Sequence, residues 1–104
     1  AECAHEQRKF WEYHDALFKN QQALAINDLK RYAQEIGLDT QLFSACLDSG
    51  KFTNEVKDDL NAAIAAGMQG TPYFVIVNNK DGKTQSVAGA VPFANIETAI
   101  KTVQ

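Results

Sequence analysis

The run Tyr73-Phe74-Val75-Ile76-Val77 constrains this chain more than any other segment. It is aromatic and β-branched throughout, with no polar residue at alternate positions, the pattern of a strand covered on both faces in the middle of a sheet. The turn cluster Gly70-Thr71-Pro72 precedes it, and Asn78-Asn79-Lys80-Asp81-Gly82-Lys83 follows with the Asp-Gly chemistry of a hairpin. A weaker strand is expected over residues 84–90, before Pro92. A last helix is expected over 94–103, with Ile96, Ala99, Ile100 and Val103 on one face. Two antiparallel strands are marginal alone, so a central strand with a single partner lacks its second neighbour. Either another copy of the chain or further strands of the natural protein must supply it.

Everything before Gly67 reads as helix. Phe10, Trp11, His14, Leu17 and Phe18 recur at helical spacing over 5–20. Asn27 is the expected N-cap of a second helix, 27–36, which carries Leu29, Tyr32, Ala33 and Ile36 and stops at Gly37. Asp39 caps a third, with Leu42, Phe43, Cys46 and Leu47 on one face and Gly50 as its stop. A fourth spans 52–66, with Val56, Leu60, Ala63 and Ile64 facing inward and Gly67 ending it. Among the aromatic residues Tyr13 and Phe52 are expected at the surface, and His14 at the edge of the core. The change of character at Gly67 divides the chain into a helical part, 1–67, and a strand–strand–helix part, 68–104.

Several function classes drop out on composition. Ten Lys plus Arg are scattered among thirteen Asp plus Glu in 104 residues, for a net charge of −3, which does not build the basic patch a nucleic-acid partner needs. No apolar stretch approaches the roughly 20 residues of a membrane span. Ala1-Glu2-Cys3-Ala4-His5-Glu6 has neither the apolar core nor the cleavage site of a targeting signal. This uncapped helical start fits a mature secreted chain, a proteolytic piece or a shortened one. Cys3 and Cys46, with His5 and His14, do not reach any metal-ligand spacing, so no metal site is expected. The two cysteines allow one disulfide or two buried thiols.

The order and spacing of certain motifs go further. Glu2-Cys3-Ala4, Gln7, the stretch Lys9-Phe10-Trp11-Glu12-Tyr13-His14-Asp15-Ala16-Leu17-Phe18, Tyr32-Ala33, Ile36-Gly37-Leu38-Asp39, Phe43, Cys46-Leu47 and Gly70-Thr71-Pro72 together resemble the DsbA-like thioredoxin-fold family of bacterial thiol-disulfide oxidoreductases. The resemblance spans nearly the whole chain. It implies an α/β, thioredoxin-like but incomplete fold, in which a helical insert is followed by the second, strand–strand–helix half.

In that family the first half carries a Cys-x-x-Cys pair, which needs a lowered thiol pKa and a resolving cysteine one turn away. This chain has no Cys-x-x-Cys. It is therefore expected to hold no catalytic residue and to be redox-inert by itself, with no cofactor. By resemblance Thr71-Pro72 is the family's cis-proline loop, which holds the backbone of an extended client peptide. Cys3 and Cys46 match positions where some members carry a second, non-catalytic disulfide, and the implied compartment is periplasmic or extracytoplasmic. The implied partners are reduced or misoxidised client proteins and a membrane redox protein, while the isolated chain is expected to dimerise through its open strand edge. The alternatives are a non-catalytic peptide-binding module, or a glutathione-using DsbA-like isomerase or kappa-type transferase.

Overall fold

Short-range chemistry sets most of the element boundaries in the computed structural model, which describes residues 1–104. Helix α1 is a single turn, Glu2–His5, and α2 is Phe10–Lys19. The continuous helix expected over 5–20 is thus interrupted. Arg8 adopts φ +60, and Arg8 N–H and Lys9 N–H donate back to His5 and Ala4 carbonyls at 2.9 and 3.0 Å, which closes α1 in a left-handed cap. Two long side chains hold the break from outside. Gln7 pairs reciprocally with the backbone of Asp39, donating through Nε2 to its C=O at 3.1 Å and accepting its N–H through Oε1 at 2.8 Å. Lys9 Nζ donates to Ile36 C=O at 2.9 Å.

Helix α3, Ile26–Glu35, begins one residue before the expected cap. Ala25, in extended conformation, is the N-cap and makes no side-chain bond, so Asn27 lies inside the helix. Gly37 at φ +80 and the Leu38 N–H to Ala33 C=O bond end it. Helix α4, Thr40–Ser49, follows the sequence closely. The Asp39 carboxylate accepts from Gln41 and Leu42 N–H, and Gly50 closes the helix in the left-handed conformation. Helix α5 is Thr53–Ala65.

The chain forms two compact units, Ala1–Val56 and Lys57–Gln104. The core of the first is Ala4, Tyr13, Tyr32, Ala33, Leu38 and Phe43, with Cys3, Leu17, Ile36 and Leu47 packed around it. Its two tyrosines bury their rings because each hydroxyl finds a carbonyl, Tyr13 to Leu29 at 3.0 Å and Tyr32 to Ala23 at 2.8 Å. Two expectations are corrected here. Tyr13 is among the most buried residues, whereas Trp11, Phe18 and Leu42 are exposed. The inward face of α2 is therefore the one carrying Tyr13 and Leu17, chosen by the Leu29 carbonyl that accepts from Tyr13.

In the second unit β1, Tyr73–Val77, pairs antiparallel with β2, Thr84–Ala88, from Tyr73↔Ala88 to Val77↔Thr84. Helix α6, Phe93–Val103, buries Ala99 and Val103, and Asn78 Nδ2 donates to Val103 C=O at 2.7 Å. The sheet has only these two strands. Phe74, Val75 and Val77 are consequently 40%, 45% and 49% exposed, which corrects the expectation that β1 is covered on both faces. The apolar stripe of α5 is likewise open, with no buried residue along the helix. Helical spacing grouped Val56, Leu60 and Ile64 correctly but did not provide a surface to cover them.

Candidate functional site

The loop that leads into β1 is built from backbone constraints. Gly67 ends α5 at φ +99, and a Cβ there would lie 3.0 Å from Tyr73 Oη. Only glycine meets both conditions. The Tyr73 hydroxyl donates to Ala66 C=O at 3.0 Å, which ties the end of α5 to the start of the strand. Between these anchors Thr71 and Pro72 are exposed and joined by a cis peptide bond. Gly89 N–H donates to Pro72 C=O at 2.8 Å. A shallow hollow of about 200 Å³ lies against Gly67, Gly70, Thr71, Pro72, Tyr73 and Gly89.

What this loop offers is backbone. Neither the N–H nor the C=O of Thr71 has a hydrogen-bond partner within the chain. No thiol, imidazole or carboxylate lines the hollow.

The second pair of residues singled out from sequence lies in the first unit. Cys3 and Cys46 form a disulfide with Cα atoms 5.8 Å apart, bridging a sequence separation of 43. It fastens α1 to α4. Cys46 is buried, no free cysteine remains, and the Cys46 carbonyl accepts from Ser49 Oγ at 3.0 Å. The bridge borders an apolar cavity of about 380 Å³ that also touches Tyr13, Leu17, Phe43 and Leu47. No group of three or more His, Cys, Asp or Glu side chains converges on a point that could hold a metal.

The face of α2 that the spacing assigned to the core carries an aromatic cluster in which Trp11 and Phe18 are exposed and Phe10 and His14 half-buried. His14 stacks on Phe10 at 6.0 Å between ring centres, meets Trp11 edge-on at 5.1 Å and Phe18 at 4.6 Å. Its Nδ1 lies 3.1 Å from Asp15 Oδ1. The spacing of these aromatics was visible, but spacing does not say which side of a helix is covered.

A helical part joined to a β-hairpin and a closing helix, with a Thr-Pro loop at the head of the first strand, defines an incomplete thioredoxin-like α/β fold. The family model for the DSBA-like thioredoxin domain matches residues 1–101, and the chain belongs to that family. Similar curated proteins are a Na(+)/H(+) antiporter NhaA of Herminiimonas arsenicoxydans, 41% identical over 76 residues, and Na(+)/H(+) antiporter NhaA 3 of Salinispora tropica, 38% identical over 76 residues. Each of these matches covers 73% of this chain and 12% of the relative. Na(+)/H(+) antiporter NhaA 1 of Mycobacterium sp. (strain KMS) is 36% identical over 85 residues, 80% of this chain and 14% of the relative. The chain thus spans only about an eighth of the length of these curated relatives. No solved structure matches it.

Proposed function

We propose that this chain is the helical insert, 1–67, and C-terminal half, 68–104, of a DsbA-like thiol-disulfide oxidoreductase acting on cysteine pairs of extracytoplasmic proteins. In this reading a Cys-x-x-Cys pair carried elsewhere exchanges disulfides with the client, while Thr71 and Pro72 hold the client backbone. The observation that carries it is the unpartnered N–H and C=O of exposed Thr71, set at the head of a strand where an extended peptide adds in register. The Cys3–Cys46 bridge is structural and supports an oxidising, periplasmic compartment. A membrane redox protein exchanges electrons with the intact oxidoreductase. The antiporter relatives, in which the matching segment is a small part of a chain named for membrane transport, support a position beside a membrane.

A second reading, a non-catalytic peptide-binding module, is favoured by one fact: both cysteines are joined to each other and none is free. The two readings share an expectation for the chain alone. In dithiol-driven insulin reduction it turns over no faster than its Cys3→Ser, Cys46→Ser variant, and an extended cysteine-containing peptide shifts the amide resonance of Thr71 first. Turnover clearly above that control would overturn the reading of the disulfide as structural. Peptide binding that leaves Thr71 unmoved would overturn the reading of the loop.

A further inference from the structure

The backbone that carries Thr71 is held from its two ends. Met68 N–H donates to Ala63 C=O at 3.0 Å and keeps the start of the loop on α5, while Gly89 N–H donates to Pro72 C=O at 2.8 Å and ties the other end to the residue just after β2. Between those bonds Gln69, Gly70 and Thr71 make no backbone hydrogen bond to the rest of the loop, and Gly70 adds the freedom of a residue without Cβ. What joins the two ends is one side chain. The Tyr73 hydroxyl reaches back across a sequence separation of 7 and donates to Ala66 C=O at 3.0 Å. Ala66 stands just past the last residue of α5, where carbonyls lose their intrahelical partners, so the phenol satisfies an acceptor that the helix leaves over. It passes so close to Gly67 that a Cβ there would lie 3.0 Å from Oη. Tyrosine supplies both the reach and the donor, whereas phenylalanine has the reach alone.

We propose that Tyr73 is a positioning residue for client binding: its bond to Ala66 holds the loop 67–72 so that the N–H and C=O of Thr71 stand ready for an extended peptide. This rests on the reading of Thr71 and Pro72 as the residues that hold the client backbone. With the two ends of the loop tied together, a peptide that pairs with Thr71 has less backbone to order as it binds. Without the tie the competent arrangement is one among several, and the apparent affinity falls with the fraction of time the loop spends in it. The net worth of a single hydrogen bond sets that loss at about two- to tenfold. The role is indirect, since the hydroxyl is spent on Ala66 and its effect reaches the client through Thr71. Gly67 belongs to the same arrangement, because a side chain there displaces the hydroxyl.

The test titrates the full chain with an extended peptide carrying one S-methylated cysteine, which binds without disulfide exchange. Amide order parameters at Gly70 and Thr71 report the loop in the same samples. Tyr73→Phe should raise Kd by about two- to tenfold and lower both order parameters. Exchange protection of the Asn78 N–H, bonded to Lys83 C=O at 2.8 Å, should stay as in the parent and show that the hairpin is intact. A tyrosine with a merely structural role would lower stability and leave the affinity of the folded protein unchanged. Gly67→Ala should weaken binding too, and by less in the Tyr73→Phe background than in the parent, because the same bond is lost only once. Parent-like affinity in Tyr73→Phe, with Thr71 still the residue the peptide shifts, overturns the proposal and leaves the reading of the loop standing. Losses that simply add in the double variant overturn it as well, as does loss of the Asn78 protection in Tyr73→Phe, which would make the bond a requirement of folding. A parent that does not bind the peptide, or binds it with Thr71 unmoved, overturns the reading of the loop and the proposal with it.

Discussion

Tyr13 shows how much of a residue's role is decided far from it in sequence. Trp11 and Tyr13 are two positions apart on α2, yet Trp11 is 67% exposed and Tyr13 only 2%. Tyr13 is inward because its hydroxyl reaches the Leu29 carbonyl at 3.0 Å and its ring tilts against Phe43 with centres 5.1 Å apart. Neither partner is visible from α2, which is why the sequence pointed to the wrong aromatic. Asp39, Gly37 and Gly50 were legible because a cap or a positive φ is a local requirement. Burial has a titratable consequence. It pushes the Tyr13 phenol up from 10.0 to about 12, with Tyr32 adding to the effect. Between those values the folded chain keeps a proton that the unfolded chain has lost, so this contribution is whole below pH 10.0 and disappears as pH rises through the folded value. Unfolding free energies from urea titrations across that window should fall in the parent by about 2 kcal/mol more than in Tyr13→Phe. Equal losses in the two proteins would remove Tyr13 as the cause.

Among the elements, α1 depends most on something other than its own sequence. One turn of helix is far below the length that sustains itself in water. It is kept by the burial of Ala4, by the Gln7 clamp on Asp39 and by the Cys3–Cys46 bridge to α4. Cysteine count and spacing left two possibilities open, and the matching family positions favoured one of them. The break between α1 and α2 was not legible, because nothing in Glu6-Gln7-Arg8-Lys9 is a turn residue. Its causes are tertiary, namely the backbone of Asp39 and the carbonyl of Ile36. Because the bridge closes a loop of sequence separation 43, its removal loosens the unfolded chain and lowers stability by about 4 kcal/mol on the chain-entropy model. Denaturant titration of Cys3→Ser, Cys46→Ser should show that loss relative to the oxidised parent, and the parent with reductant should reproduce it. A difference below about 1 kcal/mol would mean that packing alone holds α1 against α4.

At the scale of the whole molecule, the sequence carried instructions that this chain does not complete by itself. The uninterrupted apolar run of β1 specifies a covered central strand, and the stripe on α5 specifies a buried face. Yet Val75 and Val77 are about half exposed, as are Val56, Leu60 and Ile64, and Phe93 reaches 76%. Such positions are legible as apolar pattern, but the pattern does not say which polypeptide covers it. Single exposed apolar residues are ordinary; an open strand edge together with an open helix stripe in the same chain asks for more protein. On the proposed reading it is the strand–helix–strand half that bears a Cys-x-x-Cys pair. The native product, captured by antibody from its source cell and weighed intact without reductant, should therefore be several kilodaltons heavier than the 11.5 kDa of this chain, with the extra mass upstream of Ala1. A native mass equal to that of the chain would mean that no redox pair accompanies it. The peptide-binding module would then be the better reading.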